Sequence, residues 1–275
     1  MNDAIICCVD GSESTNVICE YAAWIAEKLN APITLLHVIE KDEHPAISDL
    51  TGNIGIDSKE YVTEALVKVE GERSRQMMTQ GKAILAECAA LLEKRGCSDV
   101  QLLQKHGTLK DILADLENIR LIVMGRRGSE HVVGSQLEDI IRLQKKPVLV
   151  ATECFKMPSQ IMISYDGSEA SYKSLTHLAD GSFLKGLTCH LVMVKGDAVA
   201  LQTAQNILQK AQVTLKVQHL NDSSVTDALC KYADDNAIDL TIMGAYGHSR
   251  LRNFFIGSHT TEMLMKSRQP LLMFF

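Results

Sequence analysis

The chain has 275 residues, of which 46% are hydrophobic and 23% charged, with a formal net charge of -6. That length suits one large domain or two ordinary ones of about 100–150 residues, and the apolar share excludes a disordered chain. The acidic balance argues against broad attraction to nucleic acid or anionic membrane, no apolar run reaches the ~20 residues of a membrane span, and Met1-Asn2-Asp3 lacks the basic start of a secretory signal, so a cytoplasmic location is expected.

Ala4-Ile5-Ile6-Cys7-Cys8-Val9 is an apolar run that ends in the turn Asp10-Gly11-Ser12, with Ser12 or Ser14 available as a helix N-cap. Val17, Tyr21, Trp24, Ile25 and Leu29 follow at helical intervals until Asn30-Ala31-Pro32, which places both aromatic rings in a core-facing stripe. Residues 33–39 read as a buried strand of a parallel sheet, with His37 as a satisfied internal histidine. A polar loop over 40–57 precedes a helical composition over 58–94, where Gly71 and Gly81 mark interruptions. Strand 100–105, helix 109–117, strand 121–124, a helix to about Gln144 and strand 147–151 then complete an alternation that predicts a doubly wound parallel sheet. The eight cysteines include no C-x-x-C pair and read as mostly buried thiols rather than zinc or redox ligands.

After Pro158 the pattern restarts. Ile161-Met162-Ile163-Ser164-Tyr165-Asp166-Gly167-Ser168-Glu169 repeats the order found from Ile5 to Glu13, an apolar strand followed by Asp-Gly-Ser-Glu. The two turns are about 156 positions apart, whereas Gly125 and Gly128 precede Gly244 and Gly247 by about 119. We therefore read a duplication, with domains at 1–155 and 156–275. The second copy is shorter by roughly 37 residues, because strand 191–194 leads directly to a helix over 199–211. Strand 213–220, helix 224–236, strand 240–243, a helix to about Lys266 and the apolar run 270–275 finish it. Between 243 and that last helix lies a glycine-bounded loop. Its backbone N–H groups suit a phosphate, and the same spacing also fits a plain strand-to-helix turn.

An apolar strand ending in Asp-Gly-Ser, Gly-x2-Gly-x9-Gly-Ser after the fourth strand, and a Pro-led last strand together resemble a tandem universal stress protein, over essentially the whole chain in two copies. The resemblance implies two doubly wound, parallel, five-stranded α/β sheets of strand order 3-2-1-4-5. It also implies pairing of the last strands, 148–151 against 271–275, as an intramolecular pseudo-dimer, with further homodimerisation left open. The implied ligand is ATP, ADP or AMP, with Mg2+ able to accompany it, and the implied role is in stress response or regulation, with protein partners unspecified. By the same resemblance Tyr165 and Asp166 would meet the adenosine, and Val194 and Met243 would line the base. Gly244, Gly247, Gly257 and Ser258 would hold ribose and phosphates, with His248 and His259 as further candidates. Arg250 and Arg252 read as solvated surface arginines.

The first copy departs from this pattern: five residues stand between Gly128 and Gly134, giving Gly-x2-Gly-x5-Gly-Ser. Arg126 and Arg127 supply positive charge there but Glu130 opposes an anion, so nucleotide is expected in 156–275, with weak or absent binding in 1–155. No Gly-x4-Gly-Lys-Ser/Thr loop occurs, so efficient ATP turnover is not expected. Three functions stay open: nucleotide binding, slow ATP hydrolysis with Asp166 as general base, and an interaction scaffold or small apolar-ligand binder.

Overall fold

The computed structural model describes residues 3–40, 56–126, 135–143, 145–245 and 258–274. The first half runs β1 (Ala4–Cys8), α1 (Thr15–Leu29), β2 (Ile33–Ile39), α2 (Ile56–Lys94), β3 (Val100–His106), α3 (Leu109–Asp115), β4 (Ile119–Gly125), α4 (Ser135–Leu143) and β5 (Val148–Ala151). The second runs β6 (Gln160–Ser164), α5 (Glu169–Asp180), β7 (Thr188–Val194), α6 (Ala198–Lys210), β8 (Thr214–Leu220), α7 (Val225–Asp235), β9 (Leu240–Gly244), α8 (Ser258–Lys266) and β10 (Leu271–Phe274).

All ten strands form one sheet in the order β3-β2-β1-β4-β5-β10-β9-β6-β7-β8. Each half is parallel throughout and follows the 3-2-1-4-5 order. The halves join where β5 and β10 pair antiparallel, with Leu149 opposite Leu272 and Val150 opposite Leu271. Opposed residues point to one face, so the seam continues both core layers across the molecule. Leu149 and Leu272 belong to the layer under α1, α2, α5 and α6, while Val148, Val150, Leu271 and Met273 belong to the layer under α3, α4, α7 and α8. The last strand of each half thereby gains a partner and presents no open edge. Trp24 of the first half stacks edge-on against Phe183 of the second at 5.4 Å, and Tyr21 stacks edge-on against Phe155, just after β5, at 4.8 Å.

Local details correct several sequence expectations. Ser14 occupies the N-cap position of α1 but makes no capping bond with its side chain. Asp10 organises the turn instead, its Oδ1 accepting from the Ser12 N–H at 3.0 Å and from the Thr15 hydroxyl at 3.4 Å. Asn30 ends α1 in the left-handed region at φ 47°, which its short polar side chain tolerates. Gly71 and Gly81 do not interrupt α2, a single helix of 39 residues. Gly71 faces open space. Gly81 lies so close to the sheet that an added Cβ would stand 2.2 Å from Gln104 Nε2 and 2.7 Å from His37. His37 is buried there as expected, but among the described residues its Nδ1 has no hydrogen-bond partner.

Five cysteines are buried, Cys97 and Cys230 are partly buried, and Cys154 is exposed. Burial pushes the Cys189 thiol up to about 12, and burial together with Asp10 does the same to Cys8. Among the described residues, no helix is long and apolar enough to cross a membrane.

Candidate functional site

In the second half, β6 and β9 are parallel neighbours whose following helices leave toward opposite faces. Leu175 and Leu178 of α5 pack into one layer, and Met263 and Leu264 of α8 into the other. A crevice opens between two such connections at the carboxyl ends of the strands. Ile163 and Ile242 are the last residues paired between β6 and β9. Tyr165-Asp166 and Gly244-Ala245 continue side by side past them, on the two walls of the crevice.

Asp166 sits at the head of the α5 turn, where its Oδ1 accepts from the Ser168 N–H at 2.9 Å. Gly167 makes the turn at φ +77°, a conformation that a side chain would strain. Ser168 then caps α5, its hydroxyl accepting from the Ser171 N–H at 3.2 Å. Met243 and Val194 pack on the α7/α8 face, so the structure brings these two expected base-lining residues to the same side. Val194 also turns its backbone toward β6. Lys195, its successor, donates its N–H to Leu220 on the β8 side at 2.8 Å, and alternate residues of a strand point their polar groups in opposite directions. Lys195 adopts φ 58°, and its ammonium donates to the Ser223 carbonyl at 2.9 Å.

Tyr165 packs its ring in the opposite core layer from Val194 and Met243, although Met243 and Gly244 border the same cavity as Tyr165. Its ring is buried on the α5 face, where it lines a shallow cavity with Ile163, Ser171, Ser174, Ile242 and Phe274. Burial, then the nearby Asp166 and Tyr172, push its phenol up.

On the other wall, the Ala245 N–H donates to the Phe274 carbonyl at 2.7 Å, and its carbonyl accepts from the buried Thr260 hydroxyl at 3.0 Å. Thr260 thus pins the first turn of α8 to the end of β9. Ser258 opens α8 and His259 is exposed beside it. Gly247, His248, Gly257, Arg250 and Arg252 lie outside the described residues, as does the side chain of Ser258. Sequence reading missed Lys195 and Thr260. Nothing in their spacing marks them, since each acts through a carbonyl that only the fold brings near.

The first half has the same turn at Asp10-Gly11, followed by Gly125 on the neighbouring strand. Its Arg126 reaches beyond its own half. The guanidinium crosses to the second half and donates to the Ser267 carbonyl at 2.6 Å and the Gln269 carbonyl at 3.3 Å. Arg127, Gly128, Glu130 and Gly134 lie outside the described residues. Among the described residues, no cluster of three His, Cys, Asp or Glu could hold a metal ion.

The chain matches the model of the Universal stress protein family over residues 1–152 and 190–274. It is 36% identical over 284 residues to a universal stress protein of Synechocystis sp., covering 98% of this chain and 99% of that one. It is 21% identical to a universal stress protein of Mycolicibacterium smegmatis, covering 96% and 94% of the two chains. The crystal structure of a universal stress protein from Archaeoglobus fulgidus overlays with a TM-score of 0.71 at 18% identity, over 98% of this chain and 95% of its own, which bears on the fold.

Proposed function

The chain belongs to the universal stress protein family, and on that premise we propose that it is a cytoplasmic stress-response or regulatory protein. In this reading it binds ATP, or the related ADP or AMP, in the crevice of its C-terminal half, residues 156–275. One observation carries the reading: β6 and β9 are adjacent parallel strands with successors on opposite faces, so the Asp166 turn and the N-terminal end of α8 flank one opening.

The residues present fit an adenine nucleotide. The Asp166 carboxylate suits ribose hydroxyls. Val194 offers backbone groups toward the edge of a base, and Met243 offers an apolar surface beside it. Gly244 admits close approach, and the N–H groups of the first turn of α8 suit phosphate oxygens, with Ser258 and His259 at hand. Tyr165 contributes through its backbone position, its ring being turned into the core. Gly247, His248 and Gly257 enter from the sequence motif, and Mg2+ would arrive with the phosphates. This chemistry is binding. The N-terminal half is assigned no second nucleotide, since Arg126 is engaged across the seam.

Calorimetric titration with ATP tests the reading on wild type, Gly247→Val, Asp166→Ala and Asp10→Ala. Loss of a hydrogen-bonded carboxylate or of backbone access should weaken binding about tenfold or more in the first two variants. Asp10→Ala should bind as wild type does. Equal binding by all four proteins would remove Asp166 and the glycine loop from the site.

A further inference from the structure

Arg126 follows the last residue of β4, and its side chain ends on the opposite half of the molecule. The two carbonyls it meets, those of Ser267 and Gln269, lie in the turn that closes α8. The seam delivers them to it. With Gly125 beside Ala151, and Val150 opposite Leu271, the carboxyl edge of the first half abuts the turn entering β10. The corresponding position of the second half is Ala245, which cannot reach across. The pseudo-symmetric contact is therefore made once, from the N-terminal half to the C-terminal one.

A guanidinium presents a rigid fork of donors, and carbonyls at a helix C-terminus carry the negative end of its dipole. Helix α8 has nine residues, a rod of roughly 13 Å at about 1.5 Å per residue. Thr260 holds its start against Ala245, and Met263 and Leu264 bury its middle. Its end is tied to α7 by Lys266 to Asp227 at 2.8 Å, an exposed pair that solvent screens, and by Gln269 to Asp234 at 3.0 Å. The part-buried bonds of Arg126, with the Thr241 N–H donating to the Pro270 carbonyl at 3.1 Å, fix this end against the sheet.

Resting on the nucleotide reading above, we infer that Arg126 is a positioning residue for the phosphate end of the C-terminal site. By holding the end of α8 on the seam, it sets where the helix start stands at the crevice. It never touches the ligand, because the antiparallel seam puts the two halves' carboxyl edges on opposite sides of the sheet.

The full chain is titrated with ATP and with adenosine as wild type, Arg126→Met and Arg126→Lys, and hydrogen exchange is followed at residues 260–264 without ligand. Arg126→Met should lose ATP affinity about fivefold and hold adenosine within about twofold, since only ATP reaches the helix start. Arg126→Lys should recover most of that loss. Exchange at residues 260–264 should quicken in Arg126→Met. Equal losses for the two ligands, or no loss for either, would overturn the inference and leave Arg126 as a seam contact alone. A wild type that binds neither ligand refutes the nucleotide reading instead, and unchanged exchange in Arg126→Met would then refute the positioning role by itself.

Discussion

Where the N-terminal half carries α2, 39 residues long, the C-terminal half carries α6, of 13 residues, and both helices meet the same turn. A Cβ built on Gly11 would lie 2.7 Å from Ile84, and one on Gly167 would lie 3.4 Å from Ala200. The shared contact belongs to the frame of strands and turns. The extra turns of α2 are added beyond that frame, and residues 71–80 of it are mostly exposed. The amino edge of the sheet differs as well. Thr34 pairs with Ile6 in the first half where His190 pairs with Met162 in the second. His190 is fully buried, with Nδ1 3.0 Å from the Tyr232 hydroxyl and Nε2 3.2 Å from Gln160 Oε1. One neutral tautomer, with the proton on Nε2, satisfies both partners. Asp239 stands beside this network, just before β9, whereas the exposed Arg120 lies at the start of β4 next to an irregularity in the β1–β4 pairing. The frame is thus common to the halves, while polar groups and helix lengths are specific to each.

The largest way to break this comparison is Asp239→Ala. The carboxylate accepts from the Ser159 N–H at 2.9 Å, the Ser159 hydroxyl at 2.8 Å and the Gln160 N–H at 3.0 Å, and it pairs with Lys156 at 2.6 Å. Burial pushes its pKa up, and Lys156 with the Gln160 and Ser159 donors more than reverses this, so the net direction is down. Removing it strands the part-buried donors of Ser159 and Gln160 and should cost about 3 kcal/mol in urea unfolding. Arg120→Ala at the matching place should fall within about 0.5 kcal/mol of wild type.

Gly81→Ala comes next. Its Cβ would overlap Gln104 and His37, so α2 must shift from the sheet, at about 1–3 kcal/mol. A variant as stable as wild type would mean that α2 is not packed this closely.

A pH titration sharpens the contrast at His190. Burial, with Lys216 adding to it, holds its imidazole below the ordinary value, and burial does the same to His37 against the opposing effect of Asp10. The unfolded chain therefore takes up these protons first. Stability is present above the unfolded value of about 6.5 and is lost as pH falls through it toward the folded values. The Tm should drop between about pH 7.5 and about pH 5.5, and His190→Gln should flatten part of that drop. An unchanged slope in the variant would exclude His190 as a contributor.

The smallest effect has the opposite sign. Gly71 sits within α2 with nothing within 4 Å of an added Cβ, so Gly71→Ala should stabilise by about 0.5–1 kcal/mol. Together with Gly81→Ala it separates the part of α2 that packs from the part that does not.

The sequence by itself determined the strands and the duplication, because fully buried parallel strands read as continuous apolar runs and Asp-Gly-Ser repeats at both first turns. Residues 33–39 and the end of α8 at Lys266 were legible to the residue. The position of Asp166, Val194, Met243 and Gly244 at the carboxyl ends of β6, β7 and β9 follows from strand order, and their part in a site stands as the proposal above. What only the tertiary structure decided depends on atoms brought together from distant segments. Tyr165 turned its ring to the opposite face because side chains alternate along a strand, and Gly81 proved to be a close approach because His37 and Gln104 lie beneath it. Arg126 found its partners in carbonyls 141 and 143 residues away, across an antiparallel seam whose register no local pattern encodes. Periodicity reports which face of an element is buried, and only packing reports what that face meets.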